Sequence, residues 1–297
     1  MSEIGADEFC RLSRIVCDES AIVLEAGKEY LVEARIGPIL RREGLGSYGE
    51  LVARIEARDG AALRAAVVDA MTTNETSFFR DGHPWEALRE HLLPALAEAR
   101  RSTRRLTFWC AAASSGQEPY SLAMLLHEHF AHVLATYEVR ILATDLSPST
   151  LERAESGRFS QLEVNRGLPA THLMRYFSRV GTEWKVADSL RSLIEFRVGN
   201  LIDAGDWARV PTVDAVFMRN VLIYFDTATR GEIVDRVHAR LRPDGFLLLG
   251  SAETTVGACA YERVQFQRTS VFVPLPAVNP EPPRRVEATR PALAPGR

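Results

Sequence analysis

The chain has 297 residues, of which 46% are hydrophobic and 25% are charged, a balance typical of a globular protein with a large buried core. Its formal net charge of −3 at pH 7 gives no chain-wide attraction for nucleic acid or for an anionic membrane. The acidic N-terminus lacks a secretion signal, and no uncharged apolar run approaches the ~18 residues that a membrane span needs. We therefore expect a cytoplasmic protein that does not insert into the membrane.

The first part of the chain carries apolar residues at helical spacing. Phe9, Leu12 and Val16, for example, fall on one face of a helix. This periodicity predicts a small all-helical domain over residues 1–72, in which Pro38 interrupts a helix or starts a turn of one.

The cysteines are scattered without the CxxC or Cys/His spacing that a zinc site needs, so we expect reduced thiols and no metal. They are Cys10, Cys17, Cys110 and Cys259.

Short β-branched or aromatic runs alternate with helical stretches from about residue 105, as expected for a series of β-α-β units. Several runs are apolar on nearly consecutive residues, which is typical of strands covered on both faces in a mostly parallel sheet. We therefore predict a doubly wound, Rossmann-like α/β domain over residues 91–275. Its candidate strands are LTFWCA, VRILATD, IEFRVGN, VDAVFMRN and GFLLLGS, and its candidate helices cover residues 118–129, 148–155 and 228–241.

Three further segments complete the predicted organisation. Residues 73–90 are expected to link the two domains and to contact the ligand. Aromatic residues on both sides of the Gly181-Thr182 turn predict a small antiparallel β insertion over about 175–196. Residues 276–297 are rich in Pro, Ala and Arg, and this composition predicts a disordered tail.

The first candidate site is the segment FWCAAASSGQEPY, in which an apolar strand runs through small residues into a helix near Glu118. Nucleotide-like ligands bind at the carboxyl ends of strands in such sheets, against helix N-termini. A tight turn without a ligand explains the segment equally well, because Pro119 suits the first helical position and a lone Gly116 is weak evidence. The segment alone leaves both interpretations open.

The second candidate is Asp145, which ends the apolar strand VRILATD. A carboxylate at that position can accept hydrogen bonds from the ribose hydroxyls of an adenosine cofactor. The alternative is a helix N-cap, but Ser147 followed by Pro148 suits that position better. The sequence therefore favours a ligand contact for Asp145.

Two further polar segments are candidates. Arg219 and Asn220 lie at the end of a buried strand, where polar groups are costly unless they have partners. Tyr224 follows them, although aromatic residues at such spacing are more often part of the core. In the segment TNETSFFRD, Arg80 can clamp a carboxylate, and the alternative is a capped helix start with solvated polar groups.

Together these motifs resemble those of the CheR-type chemotaxis receptor methyltransferases, which transfer a methyl group from S-adenosylmethionine to receptor glutamates. The resemblance runs to about Phe272 and includes TNETSFFRD, ASSGQEPYS, ATDLSPSTLERAESGRF, FMRNVLIYFD and LRPDGFLLLGSAE. It implies a class I methyltransferase fold, and it implies that Arg80 and Tyr224 contribute to the chemical step. The cofactor contacts that it implies are Asn74, Thr76, Arg80, Glu118, Asp145, Asn200, Leu201, Arg219 and Asn220.

The partner that the resemblance implies is an acidic helix in the cytoplasmic bundle of a chemoreceptor. Arg35, Arg41 and Arg42 fall at spacings that suggest one helical face, and we expect them to steer such a helix, with a solvated arginine face as the alternative. We expect a monomer with no nucleic-acid partner. Two other functions stay open: methylation of a small molecule or RNA, and a signalling module that binds the cofactor or docks receptors without methyl transfer.

Overall fold

Four helices form the N-terminal part of the chain in the computed structural model, which describes residues 3–255 and 261–275. They are α1 Ala6–Ser20, α2 Glu29–Glu43, α3 Tyr48–Glu56 and α4 Ala61–Met71. Each buries apolar residues in a common core that includes Leu12, Ile36 and Leu51. Helix α2 runs through Pro38 without the predicted interruption. Proline has no N–H to donate to the backbone carbonyl of Ala34, four residues earlier. Because Ala34 and Pro38 are both exposed, water can donate to that carbonyl instead.

A second helical stretch precedes the main sheet and takes up half of the predicted linker over residues 73–90. It consists of α5 His83–Ala87, a π-helical turn Leu88–Leu92 and α6 Leu93–Ala99. Trp85 and Leu88 pack into the main core, so this stretch belongs to the α/β domain. The irregular segment that connects the two domains is therefore shorter than predicted.

Seven strands form the main sheet in the order β6-β2-β1-β7-β8-β10-β9. They are β1 Arg105–Ala111, β2 Glu138–Asp145, β6 Ile194–Val198, β7 Val213–Met218, β8 Leu241–Leu249, β9 Tyr261–Phe266 and β10 Thr269–Pro274. The first five in this order pair in parallel, whereas β10 runs antiparallel to both of its neighbours. The mostly parallel sheet is confirmed, but β9 and β10 were not predicted from the sequence.

Helices cover both faces of this sheet, as predicted for a doubly wound fold. In β1, Phe108 and Cys110 face one apolar cluster, whereas Trp109 and Ala111 face the other. The helices are α7 Gln117–His129, α8 Ala131–Thr136, α9 Pro148–Ser156, α13 Ala204–Ala208 and α14 Thr227–Arg240, with a 3₁₀ turn at Leu222–Tyr224.

A small antiparallel sheet is inserted between α9 and β6, which confirms the predicted kind of insertion. Its strands, in the order β3-β5-β4, are β3 Arg158–Ser160, β4 Phe177–Val180 and β5 Glu183–Val186. Three short helices accompany it: α10 Gln161–Val164, α11 Ala170–Tyr176 and α12 Asp188–Arg191. The predicted span of 175–196 is wrong at both ends, because β3 pairs from earlier in the chain and residues 194–196 belong to the main sheet.

The RPDG segment after α14 forms a bulge within β8. Leu241 already pairs with Val213, and regular pairing resumes where Phe246 meets Ala215. Gly245 is required at this bulge, because a Cβ there would lie 2.5 Å from the carbonyl oxygen of Asp214.

Among the residues described here, none of the helices combines the length and the apolar character needed to cross a bilayer. The tail over residues 276–297, predicted to be disordered, and Cys259 lie outside the described residues.

A buried ion network fixes α6 to the end of the sheet opposite the cavities. The guanidinium of Arg100, whose side chain is 9% exposed, donates from Nε to Asp214 and from both terminal nitrogens to Asp244. The second oxygen of Asp214 accepts from the backbone N–H of Thr107 at 2.7 Å. Because Asp214 is buried, it depends on these partners for its charge to be tolerated.

We expect Arg100→Ala to lower the free energy of unfolding by about 3 kcal/mol, because it leaves the Asp214 carboxylate buried with little compensation. Arg242, at 3.3 Å from the same carboxylate, keeps the loss at the low end of the range for broken buried pairs. Urea denaturation measures the change. Arg101→Ala removes an exposed arginine next in the chain and is the matched control; equal losses in both variants would contradict a special role for Arg100.

Candidate active site

The carboxyl ends of the parallel strands open into two adjoining cavities. The chain builds the sheet outward from β1 in one direction and then returns to add β7 on the other side, which makes the β1–β7 boundary the switch point of the sheet. Ligands of open α/β sheets bind at such a point, where the loops after the two strands diverge. The cavities have volumes of about 530 and 510 Å³, and Asp145 and Tyr224 line both of them.

We call the first of these the inter-domain cavity, since Ser20 and Ile22 of the helical domain line it together with Asn200 and Leu201. We call the second the ion-pair cavity, after its buried Arg219 and Glu118. All nine residues that the resemblance implies as cofactor contacts line one cavity or the other. Asn74, Asn200 and Leu201 line the first, Asp145 lines both, and Thr76, Arg80, Glu118, Arg219 and Asn220 line the second.

The turn after β1 holds an unusual backbone conformation. Ala112 and Ser114 have positive φ values of 59° and 50°, which cost about 1–3 kcal/mol each in residues other than glycine. Gly116 follows with φ at 94°, and a Cβ there would come within 3.0 Å of Ala154. This conformation directs the backbone N–H of Ser114 to Asp145 at 2.7 Å. The small residues therefore serve a specific turn, and the cavity beside it favours the ligand interpretation of this segment.

Asp145 is a buried carboxylate at the end of β2. Its two oxygens accept from the backbone N–H groups of Ser114 and Ser147, at 2.7 and 3.0 Å. Burial raises the pKa of Asp145, and these hydrogen bonds oppose that effect. Ser147 is the N-cap of α9, because its Oγ accepts from the N–H of Thr150. The expectation that Ser147 caps this helix is confirmed, and Asp145 has remaining lone pairs that face both cavities.

Arg219 follows β7 and is almost completely buried, with a side chain that is 2% exposed. It donates to Glu118 of α7 at 3.0 Å, to Asp81 at 2.6 Å and to the carbonyl oxygen of Arg80 at 3.0 Å. Burial raises the pKa of Glu118, whereas the Arg219 charge acts in the opposite direction. The single Arg219 guanidinium is thus shared between two carboxylates, those of Glu118 and Asp81.

Asn220 lies beside this ion pair in the left-handed region, with φ at 58°. Its side-chain oxygen Oδ1 and the Nε of Arg219 are buried and have no hydrogen-bond partner among the described residues. Native proteins rarely leave buried polar atoms unpaired, and each such atom indicates a ligand or a water. Both residues line the ion-pair cavity, so a polar ligand or water bound there would supply the missing partners.

Glu253 holds the Asn220 loop in place, and the sequence reasoning missed it. Its carboxylate accepts from three backbone N–H groups: Asn220 at 2.7 Å, Leu222 at 2.8 Å and Gly250 at 2.7 Å. The side chain thereby fixes both the left-handed residue and the 3₁₀ turn that carries Tyr224. The only sequence signal was an acidic residue directly after the last predicted strand.

The helical domain contributes to the site at the end of α1. The Asn200 side chain donates to the carbonyl oxygen of Glu19 at 2.7 Å, and the N–H of Val23 donates to the carbonyl oxygen of Tyr224 at 3.3 Å. These contacts bring Ser20 and Ile22 into the wall of the inter-domain cavity. Neither residue belongs to a motif, so no signal in the sequence indicated them.

The segment between the domains is held from several sides. The Asn74 side chain donates to Thr150 at 2.9 Å, and the backbone carbonyl oxygen of Asn74 accepts from Ser114 Oγ at 2.9 Å. Phe78 is fully buried and packs edge-on against Phe159 and Phe177 of the small sheet. The small β insertion therefore supports the same segment that lines the ion-pair cavity.

The three arginines proposed to steer a substrate do not act alike. Arg35 donates to the carbonyl oxygens of Met71 and Thr72, both at 2.8 Å, so it ties α2 to the end of α4. Arg41 and Arg42 are exposed at the carboxyl end of α2, and neither of them lines the two cavities. Arg35 differs from the other two because the backbone engages its guanidinium, and the steering role of the three arginines stays a prediction.

The chain is similar to known methyltransferases over most of its length. The family description "CheR methyltransferase, SAM binding domain" matches residues 74–271, and "CheR methyltransferase, all-alpha domain" matches residues 7–72. Chemotaxis protein methyltransferase 1 of Pseudomonas aeruginosa is 44% identical over 257 residues, which cover 85% of this chain and 92% of that protein. Chemotaxis protein methyltransferase Cher2 of Pseudomonas putida is 42% identical over 239 residues, which cover 80% and 86%.

We expect Glu253→Ala to weaken the binding of S-adenosylmethionine about tenfold to hundredfold, because three backbone donors lose a charged acceptor and Asn220 is no longer held. Glu253→Gln should fall between this variant and the unmodified chain, since an amide keeps one accepting oxygen. Isothermal titration calorimetry measures the affinity. Glu262→Ala, an exposed glutamate on β9, is the control. Unchanged affinity in a folded Glu253→Ala chain would show that the loop needs no such support.

Proposed function

Because the chain belongs to the CheR methyltransferase family and is accordingly an S-adenosylmethionine-dependent methyltransferase, we propose that it methylates glutamate side chains of chemotaxis receptors. The products are glutamate methyl esters and S-adenosylhomocysteine, and the number of methyl esters on a receptor tunes its signalling. One observation carries the proposal: residues from six separate parts of the chain line two cavities, and Asp145 and Tyr224 line both of them.

The residues of the two cavities fit S-adenosylmethionine. The Asp145 carboxylate suits ribose hydroxyls, since it lies at the strand end and retains lone pairs. Asn220 Oδ1, a buried acceptor without a partner among the described residues, suits the amino group of the methionine part. Arg80, which lines the ion-pair cavity, suits its carboxylate. We propose these three as principal contacts, supported by Asn74, Thr76, Glu118, Asn200, Leu201 and Arg219.

The reaction requires the protein to orient the two reactants but not to supply a general base. When bound, S-adenosylmethionine supplies a methyl group that its sulfonium sulfur makes electrophilic. A glutamate acceptor has a reference pKa of about 4.3, so it is already an ionised nucleophile near neutral pH and needs no general base. In agreement, neither His nor Cys lines the two cavities among the described residues.

We propose that Tyr224 and Arg80 orient the acceptor carboxylate. Tyr224 lines both cavities, so its hydroxyl is available to an acceptor that enters at their junction. Holding two reactants in line can lower a barrier by about 7–11 kcal/mol in well-oriented systems. Donors to the carboxylate must be few, because each one also reduces its nucleophilicity.

The proposed acceptor is an acidic helix of a receptor's cytoplasmic bundle, which the chain meets as a monomer in the cytoplasm. Arg41 and Arg42 are exposed at the end of α2, and Arg42 is paired with Glu43 at 3.0 Å. Arg41 therefore carries most of the positive charge that would attract such a helix. Arg35 supports them indirectly, because it fixes the middle of α2 to the end of α4, where the segment that enters the site begins.

Asp145→Ala should raise the dissociation constant for S-adenosylmethionine about tenfold to hundredfold, since hydrogen bonds to a charged acceptor are lost. Ser147→Ala is the matched control: it removes the N-cap of α9 and should cost about 1 kcal/mol of stability while leaving affinity nearly unchanged. Calorimetry and thermal unfolding separate the two effects. If Asp145→Ala bound with unchanged affinity, the carboxylate would serve only the turn.

Methyl transfer with tritiated S-adenosylmethionine tests the reaction itself. We expect label on a chemoreceptor cytoplasmic fragment that mild base releases as methanol, because carboxyl esters hydrolyse under conditions that N-methyl and ribose methyl groups survive. Tyr224→Phe should reduce kcat with little change in cofactor affinity. Base-stable label on RNA would instead favour the alternative methyltransferase function, and tight cofactor binding without any transfer would favour a signalling module.

A further inference from the structure

A third cavity, of about 860 Å³, lies beyond the buried ion pair. It opens at the carboxyl end of β8, between the residues after that strand and the β9–β10 hairpin. Asp81 and Arg219 line it, and Arg219 also lines the ion-pair cavity. The Arg219 side chain therefore lies between the third cavity and the proposed methyl-transfer site.

The hairpin presents a polar face to this cavity. Arg263 and Gln265 of β9 lie on one side of the hairpin with Ser270 of β10, because residues two apart in a strand share a face and Gln265 pairs with Ser270. Arg263 donates from Nε and Nη2 to Ser270 Oγ at 3.0 and 2.7 Å, and this hydroxyl donates to Gln265 at 2.6 Å. The Arg263 guanidinium is thus held in position.

The charges around the cavity do not balance. Asp81 is paired with Arg219, and the carboxylate of Glu253 accepts from three backbone N–H groups. Arg263 and Arg268, which both line the cavity, form no ion pair among the described residues. Arg263 therefore lines the cavity without a carboxylate of its own in the described part of the chain, whereas Arg268 also lines a smaller cavity beside Glu86 and Glu90 without pairing with either.

We propose that this cavity, the hairpin groove, binds the acidic side chains that flank the acceptor glutamate on the receptor helix. The proposal rests on the proposed function, because it needs an acidic helix at the ion-pair cavity. Side chains one helical turn apart are separated by about 5.4 Å along the axis, so an acidic helix presents further carboxylates one turn from the acceptor. The groove is adjacent to the ion-pair cavity, because Arg219 lines both. Guanidinium groups bind carboxylates in a bidentate geometry, which suits Arg263 and Arg268.

The double variant Arg263→Ala/Arg268→Ala of the full chain tests the groove. The acceptor is the purified cytoplasmic fragment of a chemoreceptor from the same organism, and the rate of tritiated methyl transfer is measured against fragment concentration. We expect the KM for the fragment to rise about fivefold to twentyfold, since two charge contacts are lost at a partly solvated surface. Both kcat and the affinity for S-adenosylmethionine should stay within about twofold, and added salt should reduce the difference.

The matched control is Arg101→Ala/Arg140→Ala, which removes two exposed arginines near the amino ends of the strands. A double groove variant with the KM of the unmodified chain would overturn the hairpin groove, provided that its thermal unfolding is normal. Inhibition by transfer RNA is a second test. If transfer RNA inhibited the unmodified chain but not the groove variant, the proposal would also be overturned, because the groove would then bind phosphates of nucleic acid. If the unmodified chain places no base-labile methyl on the fragment, the proposed function fails instead.

Discussion

The buried guanidinium of Arg219 is the interaction on which the site depends. A cation that is 2% exposed must have counter-charges, and removing one partner of such a pair costs about 3–5 kcal/mol. Its partners, Glu118 and Asp81, come from the start of α7 and from the segment between the domains. The folded chain therefore has to bring the end of β7, a helix N-terminus and the connecting segment to one point, and the ion-pair cavity forms beside it.

The surrounding backbone is strained in a way that prepares the site for a ligand. Ala112, Ser114 and Asn220 all have positive φ, and other parts of the structure must hold each of them there. The Asp145 carboxylate engages the first turn, and Glu253 engages the second through three backbone N–H groups. The buried carboxylate of Asp145 and the partly buried carboxylate of Glu253 thus direct backbone groups into fixed positions, while Asn220 Oδ1 remains available to a ligand.

The helical domain is part of the site because the end of α1 closes the inter-domain cavity. Hydrogen bonds from Asn200 to Glu19 and from Val23 to Tyr224 connect the two domains at the cavity itself. On the other side, Phe78 links the connecting segment to the small sheet through edge-on aromatic contacts. Cofactor and acceptor would therefore meet where three substructures support one another.

The sequence by itself determined the alternation of strands and helices, the two-sided burial of the sheet and the strand-end positions of Asp145 and Arg219, because these follow from local periodicity and from the rule that parallel strands end at one edge. Only the tertiary structure decided that Glu253 supports Asn220, that Arg35 binds the end of α4, and that β9 and β10 extend the sheet. The physical reason is distance along the chain. The contacts of Glu253 and Arg35 join residues more than 30 positions apart, and the β9–β10 hairpin joins the sheet only where β10 pairs with the distant strand β8.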